Sequence, residues 1–288
     1  MLWFILAFAT AFCVATGDAL TKKFFGRFSP YEMAIVVSLY SLPFLLITFP
    51  LITIPQLDNV FWQTVLILVP VDIFALYLYM KALKLSPLSL SIPFLSFTPV
   101  FMILTGFLIL DEIPNVWGVC GISFVVAGSY ALYSSKIKYG FLAPFRAIRK
   151  EPGSWLMLVV ALLYSVLAVL GKKAIQHSSP IFFGFFFLAS VNVIILILFP
   201  LLAKIKWNAL FRMPGRGLCV GFILYLHVLL HVLAISMIEA VYMISVKRMS
   251  IVFAVIYGWL LFKETDIKSR MSGAVLMFMG IIVITLLG

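Results

Sequence analysis

Lys247 and Arg248 stand side by side deep in an apolar run, within about 6 Å of its midpoint at 1.5 Å of helical rise per residue. Asp72 lies mid-run elsewhere, and no other Lys or Arg is so far from a polar boundary. A charge at such depth is costly unless it faces protein or water, so each marks a place where chemistry is expected. Two cations and one carboxylate leave an excess of positive charge, which suits an anionic or carboxylate-bearing substrate. Arg248 can grip such a group with two parallel hydrogen bonds while Lys247 pairs with Asp72. The structural alternative is an Asp72–Lys247 ion pair between helices, with Arg248 bonded to backbone carbonyls. Adjacent helical residues point about 100° apart, so both cations need not face one space.

Other polar residues interrupt the apolar runs. His227 and His231 sit four apart on one helical face, where they suit substrate contact, proton relay or bonding between helices. A metal site would want a third ligand, and only Glu239 is near in sequence. Tyr79 and Ser96 add hydroxyls, and with Lys247, Arg248, Asp72, His227 and His231 they complete the candidate substrate-binding set. Pro87, Pro93 and Pro99 recur every six residues, each removing a backbone donor and disturbing the preceding turn. Pro93 and Pro99 are therefore candidate hinges, and Ser89, Ser91 and Thr98 could satisfy the freed carbonyls. Membrane carriers often bind substrate at such helix breaks.

The chain lacks a nucleophile–base set, HExxH, a P-loop and a nucleotide fingerprint, so enzyme activity is disfavoured and no cofactor is expected. Cys13, Cys120 and Cys219 show no pairing or metal spacing.

Hydrophobic residues make up 64% of the 288 positions and charged residues 11%, with a mean hydropathy of +1.19. A soluble domain carries roughly 25% charged residues. The composition therefore predicts an all-α integral membrane protein. Ten runs approach the roughly 20 apolar residues needed to cross about 30 Å of hydrocarbon. They cover about 2–20, 31–50, 60–83, 87–110, 116–134, 154–171, 181–202, 218–237, 240–262 and 270–287. The apolar stretches are continuous, unlike the alternating strands of a β-barrel.

The second half repeats the first. A shift of 152 places Phe101 on Phe253, Gly106 on Gly258, Glu112 on Glu264, Gly121 on Gly273 and Gly128 on Gly280. A shift of 150 matches Lys22-Lys23 with Lys172-Lys173, Ser29-Pro30 with Ser179-Pro180 and Pro50 with Pro200. Two five-helix units, 1–135 and 154–288, are expected to flank a basic connection at 136–153. An odd number of crossings per unit inverts the second relative to the first. The repeated glycines, with Gly118, are expected to let the last helices of the two units pack closely. The repeated glutamates are expected to join the following helix. Gly217 and Gly221 form a lone GxxxG. Asp18 reads as a solvated i,i+4 partner of Lys22.

Lys and Arg set the orientation. Seventeen of the 21 fall after odd-numbered spans and two, Lys172 and Lys173, after even-numbered ones. The odd loops are thus expected in the cytoplasm, with both termini outside. Met1-Leu2-Trp3-Phe4 lacks a basic signal-peptide start, so the first span reads as retained. The net charge of +11 fits anionic lipid, and no basic soluble module is present to bind nucleic acid.

The stretch from Leu85-Ser86-Pro87 through Pro93, Thr98-Pro99-Val100-Phe101 and Gly106 to Glu112, Gly121 and Gly128 resembles the EamA-like family of the drug/metabolite transporter superfamily. Lys247-Arg248-Met249-Ser250 through Gly258-Trp259 to Glu264 and Gly273 resembles the same motif. The resemblance implies ten helices around a central cavity lined mainly by the first, third, fourth, sixth, eighth and ninth, with the fifth and tenth peripheral. It implies a secondary transporter, with export expected, for small polar metabolites such as amino acids, working as monomer or homodimer in the cytoplasmic (inner) membrane. Relatives are usually drawn with cytoplasmic termini, the reverse of the Lys/Arg count. The alternative function is a flippase for lipids or lipid-linked intermediates, or an accessory membrane subunit.

Overall fold

A computed structural model describes residues 1–131, 152–263 and 267–288. Glu264 and most of the expected connection at 136–153 lie outside the described residues. The described residues form helices joined by short turns, with no strand among them. The first half contains α1 (Leu2–Phe25), α2 (Pro30–Thr48, continued by a 3₁₀ turn at Phe49–Leu51), α3 (Asn59–Leu85), α4 (Leu88–Ser91), a 3₁₀ segment at Ile92–Phe97, α5 (Thr98–Leu110) and α6 (Val116–Ala131). The second contains α7 (Pro152–Gln176), α8 (Pro180–Leu202), the short α9 (Trp207–Leu210), α10 (Pro214–Ile235), α11 (Ala240–Lys247), α12 (Ser250–Phe262) and α13 (Ile267–Leu287).

Among the described residues, seven helical segments are long and apolar enough to cross a membrane: Leu2–Phe25, Pro30–Leu51, Asn59–Leu85, Pro152–Gln176, Pro180–Leu202, Pro214–Ile235 and Ala240–Phe262. Three shorter apolar helices, Phe94–Leu110, Val116–Gly128 and Gly273–Leu287, occupy the other expected positions. The outer surface is apolar, with Leu66 76%, Leu201 79% and Leu286 68% exposed. In water such a surface would drive aggregation; in hydrocarbon it is the solvated face. The protein is a multi-pass membrane protein.

Repeated residues build repeated joints. Ser29 caps α2 by accepting from the Glu32 amide, while Glu32 accepts from the Ser29 amide to complete a capping box. Ser179 likewise caps α8 by accepting from the Phe182 amide, and Pro30 and Pro180 each open their helix with the φ already set. Asp111 and Lys263, 152 apart, end α5 and α12 in the left-handed conformation, at φ 56° and 55°. Each carries a side chain where glycine is usually preferred.

The expected break in the fourth span is present. Pro87 caps α4, the chain then tightens into the 3₁₀ segment containing Pro93, and Pro99 sits in the first turn of α5. The ninth span, read from sequence as one helix over 240–262, is also broken, at Arg248-Met249, without any proline. The Met249 amide donates to Val246 O (3.0 Å) and the Ile251 amide to Arg248 O (2.9 Å), so bonding there switches to the i to i−3 pattern.

Glu112 does not join the following helix. Its carboxylate accepts from Lys172 on α7 and from the Ala240 amide at the start of α11 (3.0 Å), while Lys172 also donates to Ile238 O (2.8 Å). Lys22 donates to Ser86 O, and Ser86 is Ile238 under the 152 shift. The same lysine therefore ties down the same helix end in each half. At another junction, Asp58 caps α3 through the Phe61 amide (2.8 Å) and pairs with His177 (2.6 Å) beyond α7.

α6 and α13 lie against each other through glycines. A Cβ on Gly121 would stand 2.6 Å from Gly280 O, and one on Gly128 2.6 Å from Gly273 O. Gly217 and Gly221 admit Tyr40 of α2 in the same way.

Gly121→Ala is expected to force α6 and α13 apart, because the obstructing atom is backbone, at a cost of about 1–3 kcal/mol. Thermal unfolding in detergent measures this; an unchanged melting temperature would show that the crossing has slack. The Phe61 amide first, and His177 second, hold the Asp58 carboxyl below its ordinary range. That stabilisation is present above the ordinary aspartate range and lost as pH falls through the depressed value. The stability gap between the native protein and Asp58→Asn should therefore close on acidification, and a gap independent of pH would contradict the pairing.

Candidate functional site

The broken helices meet a cavity of about 260 Å³ between the two halves. Its walls come from α1, α2, α3, the 3₁₀ segment, α7, α8, α10 and α11. Asp72, Tyr79, His227, His231, Lys247 and Arg248 all line it; Ser96 does not. Ser96 is fully buried, and its neighbour Leu95 forms the wall instead. Successive residues of a 3₁₀ turn point about 120° apart, so only one of the two faces the cavity. Pro93 and Pro99 shape the break without forming the wall. α2 and α8 contribute Ser38 and Asn192, beyond the helices implied by the family resemblance, whereas α6 and α13 remain peripheral.

Lys247 is the last residue of α11 and Arg248 its C-cap, so the break itself presents both cations to the cavity. Arg248 is 3% exposed, and its Nε has no hydrogen-bond partner. Burying an unpaired guanidinium donor is costly, and a ligand acceptor would relieve it. Lys247 donates to His231 Nδ1 at 3.4 Å. It lies within electrostatic reach of both Asp18 and Asp72. Among the described residues the ion pairs are Lys172–Glu112 and His177–Asp58, so the expected Lys247–Asp72 contact is not formed. The His227 and His231 rings are 6.0 Å apart, and His227 Nε2 is also without a partner. Glu239 does not reach the cavity wall, and no group of three or more metal-binding side chains occurs among the described residues.

Sequence reading missed Asp18. It is buried in the cavity wall, accepts a hydrogen bond from the Tyr79 hydroxyl at 2.5 Å, and is not a solvated partner of Lys22. Tyr164 was missed as well; it lines the cavity beside Tyr79, with ring centroids 5.9 Å apart.

The repeat supplies the signal that could have found both. Under the 150 and 152 shifts, cavity positions pair as Val14 with Tyr164, Asp18 with Ala168, Asp72 with Leu224, Tyr79 with His231 and Leu95 with Lys247, and every one of these residues lines the cavity. The halves thus present equivalent positions with opposite chemistry: carboxylates from the first, bases from the second. Thr98 and Ser250, another pair at 152, begin α5 and α12 with buried hydroxyls that have no partner.

A solved crystal structure superposes on the chain with a TM-score of 0.66 at 15% sequence identity, over 99% of this chain and 96% of that one. At that identity the likeness concerns the fold alone. No curated protein matches the sequence. The sequence profile of the EamA-like transporter family matches residues 1–134 and again 151–286, the two halves that the shifts relate. By that double match across nearly its whole length, the chain belongs to the EamA-like transporter family.

Proposed function

We propose that the protein is a secondary transporter that moves a small anionic or carboxylate-bearing metabolite, amino-acid-like compounds included, through this cavity by alternating access. The observation that carries the reading is Arg248: a buried guanidinium with an unpartnered Nε, beside Lys247, on the wall of a cavity between two repeated halves. In a low-dielectric wall an anionic group on the substrate completes what the protein leaves unpaired. Asp72 and Asp18 then balance the cations while the cavity is free of substrate.

The two halves act as inverted five-helix units, 1–135 and 154–288 about the connection at 136–153, together crossing the bilayer ten times. Inverted units give inward-open and outward-open states of similar energy, which supports rocking around a fixed site. The broken spans at 92–97 and 248–249 are the flexible joints, with Pro93 and Pro99 as hinges in the first. Odd-numbered loops face the cytoplasm and both termini face outward, with export as the working direction. A flippase would need the cavity to open sideways to lipid.

Fusing a periplasmic reporter after Gly288 should give activity and a cytoplasmic reporter none; the opposite pattern would reverse the orientation. Purified protein should be stabilised by glutamate or succinate and not by uncharged analogues, by about 2.7 kcal/mol at 100 times the dissociation constant. Arg248→Ala should abolish that stabilisation while the protein still accumulates, because the change removes the buried charge itself and leaves no ion-pair partner at contact distance. Full ligand stabilisation in Arg248→Ala would remove Arg248 from the site. Collapse of the variant protein would instead mark a structural charge, whose loss costs about 3–5 kcal/mol.

A further inference from the structure

The cavity holds two carboxyls, Asp18 and Asp72, and the two cationic side chains Lys247 and Arg248, and none of these four makes an ion pair with another at contact distance. With all four ionised their charges balance before any substrate arrives. A substrate with one net negative charge, seated on Arg248 and Lys247, leaves the cavity one charge short of neutrality. Uncompensated charge in such surroundings is strongly disfavoured. Imported counter-ions would need room and ligands, whereas a proton needs only an acceptor oxygen.

Asp18 is built to be that acceptor. Its Oδ2 takes the Tyr79 hydroxyl at 2.5 Å, which orients the carboxyl and leaves its other oxygen free of any hydrogen bond to Tyr79. Asp18 is 9% exposed, and among the described residues it is the cavity carboxyl that accepts a side-chain hydrogen bond. The charged and titratable groups that share the cavity wall with Asp18 are Cys13 on α1, Tyr79 and Asp72 on α3, Tyr164 on α7, His227 and His231 on α10, Lys247 on α11 and Arg248 at its end. On α12, Tyr257 is bonded to Thr16, two residues before Asp18 on α1 (2.8 Å). Of these, Lys247 is the cation within electrostatic reach of Asp18. An anion drawn to Lys247 offsets that cation and weakens its hold on the ionised carboxylate, leaving the Tyr79 hydroxyl as the donor to Asp18. The position equivalent to Asp18 in the other half is Ala168, so the carboxyl is no requirement of the fold.

We propose that Asp18, oriented by Tyr79, is the proton-binding group of this cavity, taking up one proton from water as a monoanionic substrate binds, so that anion and proton cross together without net charge. The proposal rests on the anionic-substrate reading, and the test keeps the two apart by using glutamate, which carries one net negative charge, as the probe.

Infrared difference spectra of the purified protein with and without saturating glutamate should show a protonated carboxyl band that is absent in Asp18→Asn and retained in Asp72→Asn. In proteoliposomes, glutamate uptake should follow a pH gradient and ignore an imposed potassium diffusion potential. In Asp18→Asn, uptake driven by the pH gradient should fall on the order of tenfold and uptake should become sensitive to the potential. Tyr79→Phe should keep the carboxyl band while shifting the pH dependence of uptake. Glutamate binding without the band, or a band that survives Asp18→Asn, would overturn the proposal. Should glutamate fail to stabilise the protein, the substrate reading fails for this probe. The carboxyl band on acidifying the ligand-free protein then decides the proton site: its loss in Asp18→Asn supports Asp18, and its persistence refutes it. If Asp18→Asn does not fold, Asp18→Glu takes its place, with the carboxyl band shifted rather than lost as the supporting result.

Discussion

Lipid offers no hydrogen bonds, and that single constraint organises the molecule. Every backbone amide and carbonyl at membrane depth must find its partner within the protein, so spans are helical and any interruption must be enclosed. Both interruptions here are enclosed. The 3₁₀ segment at Ile92–Phe97 and the break at Arg248-Met249 lie where the helices of both halves surround them. The cavity follows from the same rule, because helices that stop and restart cannot pack as tightly as continuous ones. Outside it, packing is close: α6 and α13 touch backbone to backbone through Gly121 and Gly280.

Duplication then explains why scaffold and chemistry separate so cleanly. Joints that both halves need are kept: the Ser-Pro helix starts and the lysines that tie Ser86 and Ile238 keep their residues, and Asp111 and Lys263 keep the left-handed conformation with different side chains. Several cavity positions are shared by the two halves while their side chains differ. Asp18 faces Ala168's place, Tyr79 answers His231 and Leu95 answers Lys247. A symmetric cavity with the same charges twice would repel itself, whereas acids from one half and bases from the other attract.

Much of the architecture was legible because apolar run length and repeat offsets report directly on helices and their relation. The proline-marked break was legible for the same reason. The break at Arg248 was not, since no proline or glycine forces it; it falls at the end of the stretch 244–249 onto which the 152 shift carries the 3₁₀ segment Ile92–Phe97. Asp18 was misread because an i,i+4 neighbour, Lys22, offered a local explanation. That explanation failed because Lys22 reaches Ser86 instead and Asp18 turns to Tyr79, contacts made across 64 and 61 residues. The expected Lys247–Asp72 pair failed differently: sequence gives depth, but whether two side chains converge depends on helix rotation, which periodicity leaves open.

Asymmetry also bears on how the cavity discriminates. Arg248 Nε and His227 Nε2 are buried donors or acceptors that the protein leaves unsatisfied. A site built this way rejects a ligand lacking the matching group more strongly than one that merely fits loosely, because the wrong ligand leaves the polar atoms unpaired. The apolar remainder of the wall, including Phe183 and Phe187, distinguishes ligands only by size, at about 1–3 kcal/mol per methylene. On the proposed reading, selectivity for charge type would rest with the second half and its bases, and tolerance of different apolar groups with the walls that surround them.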